Sequence, residues 1–252
     1  MTASSVLLER SDGVAVLTLN RPRRANALDA AMLAELADVE RELAADADTR
    51  AVVVTGAGKH FCAGVDLQAA LIASPWTPGV HIGFDLVQQP VIAAINGSAL
   101  GGGCEIALAC DFRIMAASAT MGLPEVQFGE LPRGGATARL ARIVGVPRAK
   151  MMIATGVALT ADQAERIGLV DQVMEPAMVL RSALELAECL ASYEPYAVRS
   201  AKFLVDRSVE SSLSAALELE RLVTTNMATD EQRRQARANA ARRSPVYTRL
   251  FG

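Results

Sequence analysis

Residues 93–111 read AAINGSALGGGCEIALACD, and this stretch organises the rest of the chain. Apolar, largely β-branched residues over 91–95 indicate a buried strand, which Asn96 and Gly97 end. Three glycines follow at 101–103, and CEIALAC then supplies good helix formers without Gly or Pro. The order of strand, glycine turn and helix predicts a helix that begins near Gly102 or Gly103.

The predicted glycine turn suits a negatively charged oxygen. Unpaired N–H groups and the positive end of the helix dipole meet at a helix N-terminus. They favour either a phosphate or an oxyanion that develops during a reaction. A GxGxxG pattern requires glycine where Ile106 stands, and no GxxxxGK pattern occurs. An oxyanion site is therefore the preferred interpretation.

Two carboxylates are candidates for acid–base chemistry. Glu105 lies in the first turn of the predicted helix, where a carboxylate can also serve only to favour the helix dipole. Glu125 lies in an apolar setting between Pro124 and Val126, where the alternative is a loop carboxylate that accepts backbone N–H bonds. If both face one pocket, burial and mutual repulsion raise at least one pKa, so that one group donates a proton while the other accepts it.

Composition excludes several classes of protein. The chain has 252 residues, 51% of them hydrophobic, but no apolar run of the ~20 residues that span a bilayer. The first residues lack the pattern of a signal peptide, so we expect a soluble cytoplasmic protein without membrane contact. A net charge of −3 gives no reason to bind nucleic acid. Four cysteines without ligand spacing and two histidines predict no metal site.

The pattern along the chain predicts an α/β region followed by a helical one. Strands are predicted at 14–19, 51–56, 91–95 and 112–117, with a short edge strand within 170–174. Helices are predicted within 28–47 with Asp29 as N-cap, after 61–67, and at 81–88, 102–110, 137–144, 148–155 and 161–167. Gly145, Val146 and Pro147 are expected to separate two helices, residues 121–136 are expected to be irregular, and amphipathic helices are expected from 178 onward.

Glycine-bearing loops at 57–64, 97–103 and 122–135 each follow a predicted strand. In parallel α/β sheets such loops gather at one end of the sheet, where ligands bind. We therefore expect these three loops, and the two glutamates with them, to form one site.

Five stretches of the chain resemble the enoyl-CoA hydratase/isomerase family, the crotonase superfamily. They are RPRRANALD at 21–29, AGVDL at 63–67, NGSALGGGCEIALACDFRI at 96–114, GLPEVQFGELP at 122–132 and TGVALTADQAERIGLVDQV at 155–173. The resemblance covers nearly the whole chain in order.

The resemblance implies an α/β fold made of a spiral of ββα units, with a C-terminal helical region that trimerises. The core would span 1–190 and the helical region 191–252, in a homotrimer or a dimer of trimers. The substrate would be an acyl-coenzyme A thioester. No separate cofactor is implied, because coenzyme A is part of the substrate.

The resemblance also assigns residues to roles. The oxyanion-hole N–H groups would belong to Ala63 and Gly102. Arg24 would lie near a phosphate of coenzyme A, with Lys202 and the stretch around Tyr247 as further contacts, possible across a subunit boundary. The other coenzyme A and substrate contacts implied are Ala25 and Ala27 through their backbones, and Gly64, Val65, Asp66 and Leu67 along the ligand path.

Glutamate at both Glu105 and Glu125 resembles the hydratases of the family. The implied reaction is syn addition of water across the C2=C3 bond of a 2-trans-enoyl-CoA, giving a 3-hydroxyacyl-CoA. Glu105 would activate the water for C3, and Glu125 would exchange a proton at the α-carbon. The alternatives are Δ3–Δ2 isomerisation, a specialised C–C lyase or hydrolase, and a non-catalytic acyl-CoA binder.

One segment departs from the family pattern. The family often has a hydrophobic pair, a proline and glycines after the position of Gly129, whereas this chain has Glu130 and Arg133 there. These charges would either reshape the acyl pocket for a polar acyl group or pair with each other on the surface.

Overall fold

The computed structural model describes residues 4–66, Gln68, 83–226 and Arg234. The described strands are β1 (Val6–Ser11), β2 (Val14–Leu19), β3 (Ala51–Gly56), β4 (Val91–Ile95), β5 (Ala99–Leu100), β6 (Phe112–Ala116), β7 (Thr120–Gly122), β8 (Ala158–Thr160) and β9 (Gln172–Met174). The described helices are α1 (Ala30–Ala45), α2 (Gly102–Ala109), α3 (Ala136–Val144), α4 (Val146–Thr155), α5 (Ala161–Arg166), α6 (Val179–Ala191), α7 (Pro195–Ser208) and α8 (Leu213–Asn226). Mixed α/β structure followed by helices confirms the predicted class.

A six-stranded sheet has the strand order β1-β2-β3-β4-β6-β9. The pair β1–β2 is antiparallel, and every other neighbouring pair is parallel. Every residue of β3 and β4 is buried, as their continuous apolar sequences require in a sheet covered on both faces. Helix α6 packs against β2, β3, β4 and β6 and buries its apolar side there. The parallel pairs place the carboxyl ends of β3 and β4 at one edge.

A second, three-stranded sheet has the order β5-β7-β8. Its strands are only two or three residues long, and the sequence pattern did not indicate them. The register pairs Leu100 with Gly122, which brings the chain just before α2 beside the chain just before Glu125. This small sheet therefore positions the glycine turn against the Glu125 segment.

Most predicted elements are confirmed, with four corrections. Strand β1 was not predicted. No helix occupies 83–88, the described part of the predicted helix at 81–88. Helix α4 begins at Val146 rather than after Pro147, because proline is tolerated in the first helical turn. Residues 121–136 include β7 and a 3-10 turn, Glu125–Phe128. The predicted helix after 61–67 lies outside the described residues apart from Gln68.

The C-terminal helices carry large apolar side chains on their surfaces. Helix α7 buries none of its residues, and Leu213 in α8 is 75% exposed. The other exposed apolar side chains of this region are those of Phe203, Val205, Val209, Leu217 and Leu222. Trimerisation through this region, and a domain boundary at 190, stay predictions.

Candidate active site

Three loops meet beside the N-terminus of α2. A Cβ placed on Gly64 would lie 3.3 Å from the backbone nitrogen of Gly102 and 2.8 Å from the carbonyl oxygen of Leu100. A Cβ placed on Gly101 would lie 3.2 Å from Oε1 of Glu125. The expected convergence of the three glycine-bearing loops is confirmed.

The hydrogen bonds around 62–66 correct the predicted oxyanion donor. The N–H of Ala63 donates to the carbonyl of Ala25 at 3.0 Å, so it is not a free donor. Val65 and Leu28 form a parallel bridge, in which the N–H of Leu28 donates to the carbonyl of Gly64 and the N–H of Asp66 donates to the carbonyl of Leu28. Successive residues of an extended chain direct their N–H groups to opposite sides, so the N–H of Val65 points away from Leu28. The preceding residue, Gly64, lies beside the glycine turn, with its Cα 3.7 Å from the position of a Cβ on Gly101.

At the glycine turn, the backbone N–H groups of Val65 and Gly102 bond no acceptor in the described part of the chain. Gly102 is the first residue of α2, so its N–H has no partner within the helix. Gly64, with φ of 91°, turns the chain so that Val65 follows directly beside the glycine turn. A developing negative oxygen would find two donors and the positive end of the helix dipole there.

The Glu105 side chain is buried, with 1% exposure. Its Oε1 accepts hydrogen bonds from the N–H of Gly134 at 2.6 Å and of Ala136 at 3.4 Å. Burial raises the pKa of Glu105, and the N–H donors of the 133–136 loop partly oppose that rise. Glu105 therefore does more than favour the helix dipole, because a second loop holds its carboxylate through backbone N–H groups.

Glu125 is the first residue of a 3-10 turn and points toward the glycine turn. Its Oε2 is buried, and none of the residues that the structure describes bonds it. Burial raises the pKa of Glu125, its own N–H opposes the rise, and the negative charge of Glu105 adds to it. The alternative of a loop carboxylate satisfied by backbone N–H groups does not account for the unpaired oxygen, which is free for a substrate or a water.

The predicted coenzyme A contacts on 24–27 form a turn of which Arg24 is exposed, Ala25 is partly exposed and Ala27 is buried. Arg24 is exposed, and its Nη1 donates to Oε1 of Gln68 at 2.7 Å. The carbonyl of Ala25 accepts the N–H of Ala63, and the carbonyl of Ala27 accepts Nη1 of Arg21. Each carbonyl oxygen keeps one lone pair for a ligand donor. The assignment of these residues to coenzyme A stays a prediction.

Two further predicted contacts are engaged within the protein. Asp66 is buried, and its carboxylate accepts Nη2 of Arg21 at 3.1 Å, so its side chain joins two loops. Lys202 donates to the carbonyls of Val87 and Gln89 and to Oδ2 of Asp111, which uses all three ammonium N–H groups. The expected ligand contact of Lys202 is therefore corrected to a structural one, while Leu67 and Tyr247 lie outside the described residues.

Asn26 supports the site and was missed by sequence reasoning. It is fully buried at φ of 55°, and its Nδ2 donates to the carbonyls of Ala57, His60 and Phe61 at 2.8–3.1 Å. Its Oδ1 accepts the N–H of Arg21. The side chain thus fixes the loop that leads to Val65. Asparagine tolerates the left-handed region, which was the available signal.

We expect Asn26→Ala to lower the free energy of unfolding by about 3 kcal/mol, because several buried carbonyls lose their donor. Urea unfolding checks this value, with Asn20→Ala as a matched control, since the Asn20 side chain donates only to the carbonyl of Ser4. Loss of less than 1 kcal/mol in Asn26→Ala would contradict the structural role.

The two charged residues at which the chain departs from the family pattern, Glu130 and Arg133, pair with each other. Nη2 of Arg133 pairs with Oε2 of Glu130, and the two side chains are 46% and 57% exposed. The expectation that these charges pair on the surface is confirmed. They give no evidence for a polar acyl group.

Residues 4–66 and 83–226 contain no cluster of three His, Cys, Asp or Glu side chains placed to hold a metal ion. None of the helices in these ranges is long and apolar enough to cross a membrane. Burial raises the pKa of the Cys62 thiol to about 12 and that of Cys110 to about 12, which favours the protonated thiol over the nucleophilic thiolate at both positions. Glu105 and Glu125 are the candidate reactive groups, and together with the N–H groups of Val65 and Gly102 they form an arrangement suited to proton transfer next to a carbonyl.

Comparison with known proteins agrees with this class. The enoyl-CoA hydratase/isomerase family pattern matches residues 9–249. A short-chain-enoyl-CoA hydratase of Clostridium acetobutylicum is 41% identical over 87% of this chain and 88% of its own length. A 2,3-dehydroadipyl-CoA hydratase of Escherichia coli is 37% identical over 92% of this chain and 93% of its own. An enoyl-CoA hydratase structure from Bacillus anthracis superposes with a TM-score of 0.86 at 36% identity, over 96% of this chain and 98% of that one.

The chain therefore belongs to the enoyl-CoA hydratase/isomerase family and is an enzyme. The expected crotonase-like α/β fold is confirmed by the structural match.

Proposed function

We propose that this enzyme adds water across the C2=C3 bond of a 2-trans-enoyl-CoA to give a 3-hydroxyacyl-CoA. The observation that carries the proposal is the pair of glutamates, both of raised pKa, beside the free N–H groups of Val65 and Gly102. An isomerase needs only one group that moves a proton, whereas hydration needs one to activate water and one to protonate carbon. The names of the similar hydratases support the same reaction.

In the proposed reaction the thioester oxygen accepts hydrogen bonds from Val65 and Gly102. Glu105, ionised, takes a proton from water while the water oxygen bonds to C3. The electrons of the double bond move toward the thioester oxygen, where the two donors stabilise the negative charge by a few kcal/mol each. Protonated Glu125 then gives its proton to C2, and the carbonyl re-forms.

The two glutamates act in opposite protonation states, and the structure supports that division. Glu105 is held by N–H donors that favour its ionised form, whereas Glu125 has an unpaired buried oxygen and the charge of Glu105 nearby, which both favour the protonated form. Both groups adjoin the same glycine turn, so hydrogen and hydroxyl add to one face of the double bond, which is syn addition. The proton on Glu105 returns to Glu125 before the next turnover.

The remaining elements of the proposal concern binding and assembly. Arg24, Ala25 and Ala27 are proposed to hold the adenosine end of coenzyme A, and no separate cofactor takes part. We also propose a homotrimer or dimer of trimers, because α7 and α8 expose apolar side chains that a partner subunit would cover. The proposed location of the enzyme is the cytoplasm.

The direct test mixes the purified protein with crotonyl-CoA and longer 2-enoyl-CoA esters and follows the loss of conjugated thioester absorbance. We expect loss of absorbance with formation of 3-hydroxyacyl-CoA, identified by mass and by co-chromatography with a standard. The control substrate is a 3-enoyl-CoA. A gain of conjugated absorbance from that substrate, without hydration of the 2-enoyl esters, would instead indicate Δ3–Δ2 isomerisation and contradict the proposal.

A further inference from the structure

Arg139, in α3, contacts the loop that supplies the hydrogen-bond donors of Glu105. Its Nη1 donates to the carbonyl of Gly134 at 2.7 Å, while the N–H of Gly134 donates to Oε1 of Glu105 at 2.6 Å. One residue, Gly134, thus lies between the guanidinium and the proposed base. Movement of Arg139 would be transmitted to the carboxylate through this single residue.

Two further contacts fix the guanidinium in place. Its Nη2 pairs with Oδ1 of Asp85 at 2.6 Å, which joins α3 to the segment before β4. On the other side the guanidinium lies over Gly135, where a Cβ would be only 2.6 Å from Nη1. Glycine at 135 therefore makes room for the arginine. The Arg139 side chain is 25% exposed and that of Asp85 is 59% exposed, so water reaches this ion pair from the Asp85 side.

The positive charge of Arg139 favours the ionised form of Glu105, as do the loop N–H groups beside which Arg139 binds. Burial raises the pKa of Glu105, the N–H donors of the 133–136 loop lower it, and the positive charge of Arg139 lowers it further. In the described ranges the side chains of Cys104, Glu125 and Arg139 interact electrostatically with this carboxylate, Arg133 contributes its backbone N–H, and Arg113 acts on the neighbouring Cys104. Among the cations, Arg113 bonds carbonyls at the far end of α2 and Arg133 pairs with Glu130.

We propose that Arg139 is a positioning residue for Glu105: it holds Gly134 so that the loop N–H groups keep the carboxylate oriented and ionised for activation of water. This inference deepens the proposed hydration and rests on it. Arg139 touches neither substrate nor the reacting atoms in this scheme.

The kinetic test compares Arg139→Met with Arg142→Met. Arg142 lies three residues further along α3 and is exposed. Within the described residues its side chain donates to the carbonyl of Ala138 on its own helix and to no other element, so it controls for the loss of one arginine. We expect Arg139→Met to lower kcat for crotonyl-CoA hydration roughly tenfold to hundredfold, with KM changed less than about twofold. The acidic limb of its pH profile should move to higher pH, since Glu105 loses a neighbouring positive charge.

Conservative variants separate charge from structure. Arg139→Lys keeps the charge and is expected to leave the acidic limb near that of the wild type. Asp85→Asn loosens the guanidinium without changing α3 and is expected to lower kcat in the same direction by a smaller factor. It also serves as the second variant if Arg139→Met does not fold.

A stability measurement tests the inference without any turnover. Because Glu105 has a raised folded-state pKa, and loss of Arg139 raises it further, the folded variant keeps its proton to higher pH than the wild type. The destabilisation caused by Arg139→Met should therefore grow as pH rises from about 5 to 8. In a Glu105→Gln background it should stay constant over that interval. The loss of the Asp85 partner is common to both backgrounds and cancels.

The outcomes distinguish this inference from the proposed function. If the wild type hydrates enoyl-CoA and Arg139→Met matches Arg142→Met in kcat and pH profile, the role of Arg139 is contradicted. The proposed function is then unaffected. A wild type without hydratase activity overturns the proposed function. The stability cycle then still decides on Arg139, because an equal pH dependence in both backgrounds contradicts its coupling to Glu105.

Discussion

Glu125→Gln is expected to lower kcat for hydration of crotonyl-CoA on the order of 10³-fold, because the amide cannot protonate C2. The substitution keeps the size of the side chain and leaves the N–H groups of Val65 and Gly102 in place. Binding of a saturated acyl-CoA, measured by calorimetry, should therefore change less than about threefold. Loss of kcat with intact binding is what distinguishes a reacting group from one that only shapes the pocket.

The matched control for this variant is Glu130→Gln on the same loop. Glu130 is exposed and pairs with Arg133 on the surface, so its neutralisation should leave kcat within about twofold of the wild type. Hydration retained by Glu125→Gln within tenfold of the wild type would remove Glu125 from the reaction. Equal loss in both glutamine variants would instead point to a general effect on the loop.

The stability of Glu125→Gln supplies an independent readout. Glu125 has a raised pKa in the folded protein, so its carboxyl ionises less readily there than in the unfolded chain. Ionisation at higher pH therefore lowers the free energy of unfolding. The variant should therefore be more stable than the wild type by about 1 kcal/mol at neutral pH. The gain should shrink as pH falls through the ordinary glutamate pKa, because both states are protonated below it. The enzyme would thus retain a destabilising group because its reaction requires it.

Much of the fold could be predicted because its main elements have local causes. Six-residue runs such as β2 and β3 are apolar enough to indicate buried strands without any tertiary information. Asp29 was recognisable as an N-cap, and its side chain does accept the N–H of Met32. The strands of the second sheet could not be predicted, because two or three residues have no periodicity and their pairing depends on distant partners.

The candidate site was predictable in part for the same reason. Glycine loops after strands predict where loops gather, so the meeting of Glu105 and Glu125 near Gly102 could be anticipated. The sequence could not predict which N–H group is free, because this depends on a hydrogen bond from Ala63 to the carbonyl of Ala25, which is distant along the chain. The correction from Ala63 to Val65 therefore needed three-dimensional hydrogen bonding.

The arrangement of the two carboxylates shows the same limit. Sequence reasoning gave each glutamate a non-catalytic alternative, a charge at the helix dipole for Glu105 and a backbone-bonded loop acid for Glu125. In the structure it is Glu105 that accepts loop N–H groups, and Glu125 has the unpaired oxygen. The donors of Glu105 come from Gly134 and Ala136, about thirty residues away, and no local pattern specifies that contact.

Gly64→Ala is expected to lower kcat about 10²-fold, since it separates the two proposed oxyanion donors. Its Cβ would lie 2.8 Å from the carbonyl oxygen of Leu100, closer than real Cβ contacts, so the chain before Val65 must move away from the glycine turn. The N–H groups of Val65 and Gly102 would then no longer converge on one oxygen. Loss of one oxyanion donor typically costs that factor.

The control must separate this displacement from the backbone strain of a positive φ. Gly168→Ala serves, because Gly168 has φ of 73° and nothing lies within 4 Å of its Cβ position. Both alanine variants should lose similar stability from the left-handed backbone, about 1 kcal/mol, but only Gly64→Ala should lose kcat. The pH profile of Gly64→Ala should keep the wild-type shape, since neither glutamate changes its charged neighbours. Wild-type kcat in a folded Gly64→Ala enzyme would mean that the carbonyl oxygen is stabilised elsewhere, and the assignment of Val65 would fail with it.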